Sequence, residues 1–304
     1  MSNNLQIQVF TKGAELANII ANGRGYLWQG DPLYWGRRAP VLFPIVGKLA
    51  NNTLRIGGKA YSMNQHGFAR DTEFVPLQLT TTYNPLTGFQ LIPSKAPLFL
   101  QMVKDRQITN YPYDFDLRVR YAVYGNTLDV VWEVKNCGDN NMYFQIGAHP
   151  AFMLPDYNTD SVIHGYLRCY NNEGKSVLPI SSSHLEDGLQ VVTESREVEN
   201  KKGLIPITNS TFANDAILLD GGNVRGVGLI NLQGKEILRV SCPQAEVFGL
   251  WAPNKPDCPF VCIEPWCGVA DKKGFNGDIS ERDFVHGLAP NEMFEFSYSI
   301  TINN

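Results

Sequence analysis

Period-two hydrophobic alternation limits what this chain can build. From Phe115 to Val123, apolar residues take every second position: Phe115, Leu117, Val119, Tyr121 and Val123. Asp116, Arg118 and Arg120 lie between them. Gly125-Asn126 then marks a turn, after which Leu128, Val130, Trp132 and Val134 alternate with Asp129, Glu133 and Lys135. Near the C-terminus, Phe294, Phe296, Tyr298, Ile300 and Ile302 alternate with Glu295, Ser297, Ser299 and Thr301. A side-chain period of two puts one set on a dry face and the other on a wet face, the pattern of a half-buried antiparallel strand. The sequence offers no convincing helix of ten or more residues after position 100. Long alternating strands without intervening helices predict an all-β chain folded as a large antiparallel sandwich.

Other segments add detail. Gly57-Gly58, between Thr53-Leu54-Arg55-Ile56 and Lys59-Ala60-Tyr61-Ser62-Met63, is a hairpin signal. Residues 14–35 read either as a short helical stripe or as a strand. Pro40 and Pro44 forbid a regular helix around Val41-Leu42-Phe43. Residues 153–210 are more polar and read as loops and short strands on the rim, with Ser181-Ser182-Ser183 among them. Neither an internal repeat nor a long simple linker divides the chain, so residues 1–304 are expected to form one domain.

Charge and composition exclude several classes. The formal charge is -4, and no basic stripe long enough to track phosphates is present, which argues against nucleic acid as a partner. The first residues, Met1-Ser2-Asn3-Asn4-Leu5-Gln6, lack a basic region followed by an apolar run. No apolar stretch approaches the roughly 20 residues that span a bilayer. The expectation is a soluble cytoplasmic protein with no membrane partner, its six cysteines free thiols. Cys258, Cys262 and Cys267 crowd one run, but their spacing does not match a zinc site, and no metal is expected there. Gly-x-Gly-x-x-Gly, phosphate-loop and Gly-x-Ser-x-Gly motifs are all missing, which removes support for nucleotide binding and serine hydrolysis.

Three short segments carry the candidate chemistry. In Gly147-Ala148-His149-Pro150, an imidazole stands where a strand breaks; it is either a hydrogen-bonded strand-end histidine or a ligand-facing one. His66 sits in a Gln65-His66-Gly67 turn, followed by Arg70. Glu264 lies inside the apolar run Phe260-Val261-Cys262-Ile263-Glu264-Pro265-Trp266. A carboxylate there needs a partner or a raised pKa. It is either an inward Glu satisfied by an Arg or a general base tuned toward neutrality.

Taken in order, these segments resemble the aldose 1-epimerase (galactose mutarotase-like) family, and within it the LacX-like branch. The pattern is Tyr34-Trp35, Arg38-Ala39-Pro40-Val41-Leu42-Phe43-Pro44, Gly47-Lys48, Gln65-His66-Gly67-Phe68-Ala69-Arg70, Gly147-Ala148-His149-Pro150-Ala151-Phe152, Phe248-Gly249-Leu250-Trp251 and Glu264-Pro265-Trp266. The resemblance implies a supersandwich of two large antiparallel sheets with a sugar cleft on one concave face, and no cofactor. It implies that Glu264 takes the proton of the anomeric hydroxyl, that His149 protonates the ring oxygen and that His66 hydrogen-bonds the substrate. Arg38, Lys48, Arg70 and Asp215 are the expected substrate-binding residues. Arg37, Arg38, Lys48 and Arg70 could together clamp a phosphate or form a solvated rim. The expected activity is anomer interconversion of an aldohexose. The alternatives are epimerisation of a hexose 6-phosphate and a non-catalytic carbohydrate-binding or regulatory protein on the same fold. Aromatics on outer strand faces suit a core or an interface equally, which leaves oligomeric state open.

Overall fold

The computed structural model describes residues 5–78, 83–84, 86–93, 96–103, 109–178 and 180–303. The reading of the N-terminus falls partly on residues 1–4, outside the described residues. The alternating runs form one ladder. Phe115–Tyr124 and Thr127–Asn136 pair antiparallel through ten positions, and Met293–Ile302 pairs along the other edge of Thr127–Asn136. Gly125, at φ 58°, closes the first hairpin in the left-handed region that a glycine adopts without strain. These three strands are the centre of a nine-stranded antiparallel sheet.

An eight-stranded sheet carries the short strands that hold the candidate residues. In it, Phe260–Cys267 lies between Val247–Trp251 on one side and Ile146–Ala148 and Ala151–Met153 on the other. All eight residues of Phe260–Cys267 are buried, so the strand has lost the wet face that the outer hairpins keep. One continuous core cluster contains Leu117, Val119, Val130, Trp132 and Phe296 from the nine-stranded sheet. It also contains Phe144, Ile146, Phe248, Val261 and Ile263 from the eight-stranded sheet or the segments beside it. The two inner faces thus share one dry layer, as in a sandwich.

The two large antiparallel sheets form as expected, and the described residues add a five-stranded sheet that includes Gln6–Val9 and Leu16–Ala21. The ambiguous stretch from residue 14 is therefore a strand where it is regular. The polar stretch read as loops and short strands on the rim contains the hairpin Ser181–Glu186/Leu189–Glu197, at the edge of the eight-stranded sheet, with Ser181-Ser182-Ser183 inside its first strand and the strands longer than expected. Asp187-Gly188 forms its tip, both at positive φ (53° and 75°). Asp-Gly is the favoured two-residue hairpin sequence, and polar flanking strands obscured it. The Gly57-Gly58 hairpin forms as expected. Among the described residues, helix is confined to short 3-10 turns, and no helix is long and apolar enough to cross a membrane.

Trp132 and Phe296 are register partners on adjacent strands, their rings stacked 5.2 Å apart at 9° and both fully buried. Trp132→Ala removes this contact and leaves a cavity. It should cost about 3–5 kcal/mol, read as a fall in the urea midpoint at unchanged slope.

Candidate active site

The site is assembled at the junction between Ile146–Ala148, Phe260–Cys267 and Val247–Trp251. Residues 262, 264 and 266 share one face of their strand, because side chains alternate. Glu264 and Trp266 thereby point into a cleft of about 640 Å³. Room for them comes from glycines on the flanking strands. Gly147 is the register partner of Trp266, and a Cβ there would stand 2.7 Å from Trp266 Cδ1. Gly249 is the partner of Glu264, and a Cβ there would stand 3.1 Å from the Trp266 ring and 3.3 Å from Glu264 Cβ. Side chains at these two positions would fill the space that the functional groups occupy.

His149 follows directly from Ile146–Ala148, and its Nε2 lies 3.2 Å from Glu264 Oε2. Both residues are buried, at 7% and 1% exposure. The contact is close but is not aligned as a hydrogen bond. Glu264 Oε2, His149 Nδ1 and Trp266 Nε1 are all buried atoms without a hydrogen-bond partner among the described residues. Trp35 stacks on the His149 imidazole at 4.7 Å and 27°, and Trp251 meets it edge-on at 5.6 Å. One indole lies flat against the ring and the other meets it edge-on, leaving Nε2 toward Glu264.

His66 enters from a separate turn at φ 66°, a conformation uncommon for a residue with a Cβ. Two contacts with Gly47 fix it: its backbone N–H donates to Gly47 O at 3.0 Å, and Gly47 N–H donates to His66 Nδ1 at 3.1 Å. An accepting Nδ1 places the neutral ring's proton on Nε2. That Nε2–H lies 3.2 Å from the Gln65 side-chain nitrogen, itself a donor, so the two form no hydrogen bond and the proton is free for another acceptor. The His66 and His149 rings meet edge to face at 5.5 Å.

Burial sets the protonation of all three groups. Desolvation holds His66 well below the ordinary histidine value, reinforced by His149, Arg70 and Arg37. Desolvation pushes His149 down to about 3; contact with its own backbone opposes the shift, and Arg70 and Arg37 add to it. Desolvation raises Glu264 well above the ordinary carboxylate value, with the Trp266 indole opposing and Asp215 adding to the rise. A low-dielectric pocket disfavours each charged form. Burial thus favours a neutral His149 and a protonated Glu264 over their charged forms.

The expected binding residues divide. Lys48, Arg70 and Asp215 line the cleft with His66, His149 and Glu264. Lys48 Nζ donates to Asp187 O at 2.8 Å, across the Asp187-Gly188 hairpin tip. Arg70 donates through Nη2 to Gln65 O at 2.6 Å, and its buried Nε has no hydrogen-bond partner among the described residues. Burial lowers the Arg70 pKa to about 10. Arg38 departs from the expectation: its guanidinium turns away to Ala17 O and Gln29 Oε1, and lies over the Phe10 ring. Glu15 accepts the backbone N–H of Arg38 and fixes that direction. Arg37 pairs with Asp71 at 2.9 Å in a neighbouring groove. Of the four cations, Lys48 and Arg70 line the cleft and Arg37 and Arg38 do not.

Trp35, Trp251, Gln65 and Asp187 also line the cleft, and residue-by-residue reading had given them no role. Trp35 and Trp251 stood in the quoted pattern, and their aromatic character was the available signal. The six cysteines are free. Cys262 brings a thiol to the His149–Glu264 pair, all three ligand atoms lying within 4.8 Å of one another. Burial keeps that thiol protonated.

These pKa shifts have opposite consequences for stability. A histidine with a lowered folded pKa binds protons in the unfolded chain first. Its contribution is present above about 6.5 and is lost as pH falls toward about 3. Glu264, with a raised folded pKa, contributes stability that is lost as pH rises from about 4.5. Between pH 6.5 and 5, urea unfolding should show wild-type stability falling more steeply than that of a His66→Gln/His149→Gln variant. Equal slopes would refute neutral burial of the histidines.

Comparison with known proteins adds four findings. A sequence model of the aldose 1-epimerase family matches residues 1–300. The chromosomal LacX protein of Lactococcus lactis subsp. lactis is 32% identical over 308 residues, covering 99% of this chain and 97% of the relative. The structure of a galactose mutarotase related enzyme from Lactobacillus acidophilus superposes with TM-score 0.85 at 28% identity, over 100% of this chain and 96% of the other. A galactose mutarotase-like protein from Lactobacillus casei ATCC 334 gives TM-score 0.86 at 21% identity over 99% and 97%, a likeness of fold.

Proposed function

The chain belongs to the aldose 1-epimerase family, and from that premise we propose that it interconverts the α and β anomers of an aldohexose by acid–base ring opening and closure. The observation that carries this reading is the buried pair His149–Glu264, 3.2 Å apart in a cleft wide enough for a sugar.

Ring opening removes a proton from the anomeric O1 hydroxyl and delivers one to the ring oxygen. Glu264 is the base and His149 the acid. The reacting form is carboxylate with imidazolium, the tautomer that burial disfavours, and the step carries it to carboxylic acid with imidazole, the tautomer that burial favours. Both are tautomers of a pair carrying one proton, so the step changes its proton distribution without changing its total. Rotation about C1–C2 presents the other face of the aldehyde, and the reverse transfers close the ring to the other anomer. His66 donates Nε2–H to the substrate. Trp35 and Trp251 hold the His149 ring plane, as a proton donor that must meet one particular lone pair requires. No cofactor is needed for this chemistry.

Lys48 and Arg70 at the cleft wall favour a second reading, a hexose 6-phosphate as substrate. Polarimetry on α-D-glucose, α-D-galactose and glucose 6-phosphate separates the two readings. A preference for the phosphate that Arg70→Ala abolishes supports the second; equal rates remove it.

Glu264→Gln and His149→Ala should each lower the catalysed rate by roughly 10²–10⁴-fold, after subtraction of spontaneous mutarotation, with sugar affinity largely retained. Wild-type binding without turnover would make the protein a carbohydrate-binding member of the family.

A further inference from the structure

Glu264 and Cys267 belong to the same strand but point to opposite sides of it, three positions apart. The cleft uses one side. On the other, Cys267 meets Glu246, from the turn leading into Val247–Trp251, and His286, from the short strand His286–Leu288. One ligand atom from each of the three lies within 4.8 Å of the others. His286 Nε2 and Glu246 Oε2 are 3.6 Å apart, too far for a hydrogen bond. Both are buried atoms with no hydrogen-bond partner among the described residues. The Cys267 thiol makes one weak contact, donating to Gln244 O at 3.4 Å.

We propose that Glu246, Cys267 and His286 form a transition-metal site of the zinc type, separate from the sugar cleft. Ligand–metal distances of roughly 2.0–2.3 Å at tetrahedral angles put donor atoms about 3.3–3.7 Å apart. The His286–Glu246 separation already falls in that range, and the other pairs, all within 4.8 Å, close by rotation of side chains. The donor set decides the ion class. Imidazole, thiolate and a single carboxylate suit Zn²⁺ or Co²⁺, whereas Ca²⁺ and Mg²⁺ take oxygen ligands. Binding balances as one proton leaving Cys267 Sγ for solvent while the Sγ–metal bond forms. Three protein ligands leave a fourth position for water or a small anion.

The neighbouring side chains and backbone orient the donors. Phe294 and Phe144 pack against the His286 ring at 4.6 and 5.8 Å. The backbone N–H of Glu246 donates to Trp266 O, tying its turn to the strand that carries Cys267. A bound ion would cross-link that strand, the Val247–Trp251 turn and His286–Leu288 behind the catalytic residues. Its effect is on stability, since none of its ligands lines the cleft.

The test titrates the EDTA-treated full chain with Co²⁺ in a Cys137→Ala background, which removes the exposed thiol. The expected result is a thiolate-to-cobalt charge-transfer band saturating at one equivalent. Cys267→Ala should abolish it, and Cys262→Ala should leave it intact. His286→Asn should weaken Co²⁺ binding by more than the roughly 10–100-fold typical of changes around a metal's ligands, without altering mutarotation. Zn²⁺ should raise the melting temperature of the parent and not of His286→Asn. A parent protein with no thiolate band overturns the proposal. So does a band that survives Cys267→Ala, or one that needs Cys262, which would put the ion in the cleft. Should Cys267→Ala fail to fold, the parent titration and His286→Asn still decide.

Discussion

An ionisable pair buried between two neighbouring strands, one of them apolar throughout but for its glutamate, sets the terms for the rest of this structure. Taking a carboxyl and an imidazole out of water costs several kcal/mol per charged group. That cost is limited by keeping the two 3.2 Å apart with one proton to share. The arrangement needs side chains in a crowded place, on a strand whose eight residues are all buried. Gly147 and Gly249 supply that space on either side. The outer hairpins supply the rigidity, because their ladder and the stacked Trp132–Phe296 pair fix the dry layer on which the site strand rests.

The second histidine depends on a network the reacting groups never touch. Arg282, 6% exposed, binds Asp271 Oδ1 at 2.6 Å, Gln145 Oε1 at 2.5 Å and Val269 O at 3.0 Å. Gln145 Oε1 also accepts from Val46 N, and Asp271 N donates to Lys48 O. The segment 46–48 is thus gripped from both ends, with Gly47 at its centre. Gly47 N–H in turn fixes the His66 tautomer. A buried arginine with its donors engaged by carboxylate, amide and carbonyl oxygens is a structural use of charge, and here it orients a neutral imidazole.

The strands most legible in the sequence were those with one wet face, such as Phe115–Tyr124, because alternation records a difference between two environments. Phe260–Cys267 has no such difference, and its only visible anomaly was a glutamate where an apolar residue belonged. That anomaly pointed to the cleft. The Ser181–Glu186/Leu189–Glu197 hairpin was obscured by its polar edge position, although Asp187-Gly188 marked its tip. Charge alone could not direct Arg37 and Arg38. Their orientation is set by Asp71 and Glu15, whose proximity arises from tertiary packing. Trp35 was present in the pattern, but its place against His149 follows from the path of a loop that local rules do not specify.

The central claim is that a buried pair with one shared proton opens and closes the sugar ring. The most direct measurement is NMR exchange between the α and β anomers of an aldohexose, with wild-type protein across a pH series and spontaneous exchange subtracted. The account predicts an acceleration proportional to protein concentration with no step from His149 at the ordinary histidine value, because burial holds it near 3. A rate that titrates at the ordinary histidine value of about 6.5, or no acceleration with any aldohexose or its 6-phosphate, would contradict it.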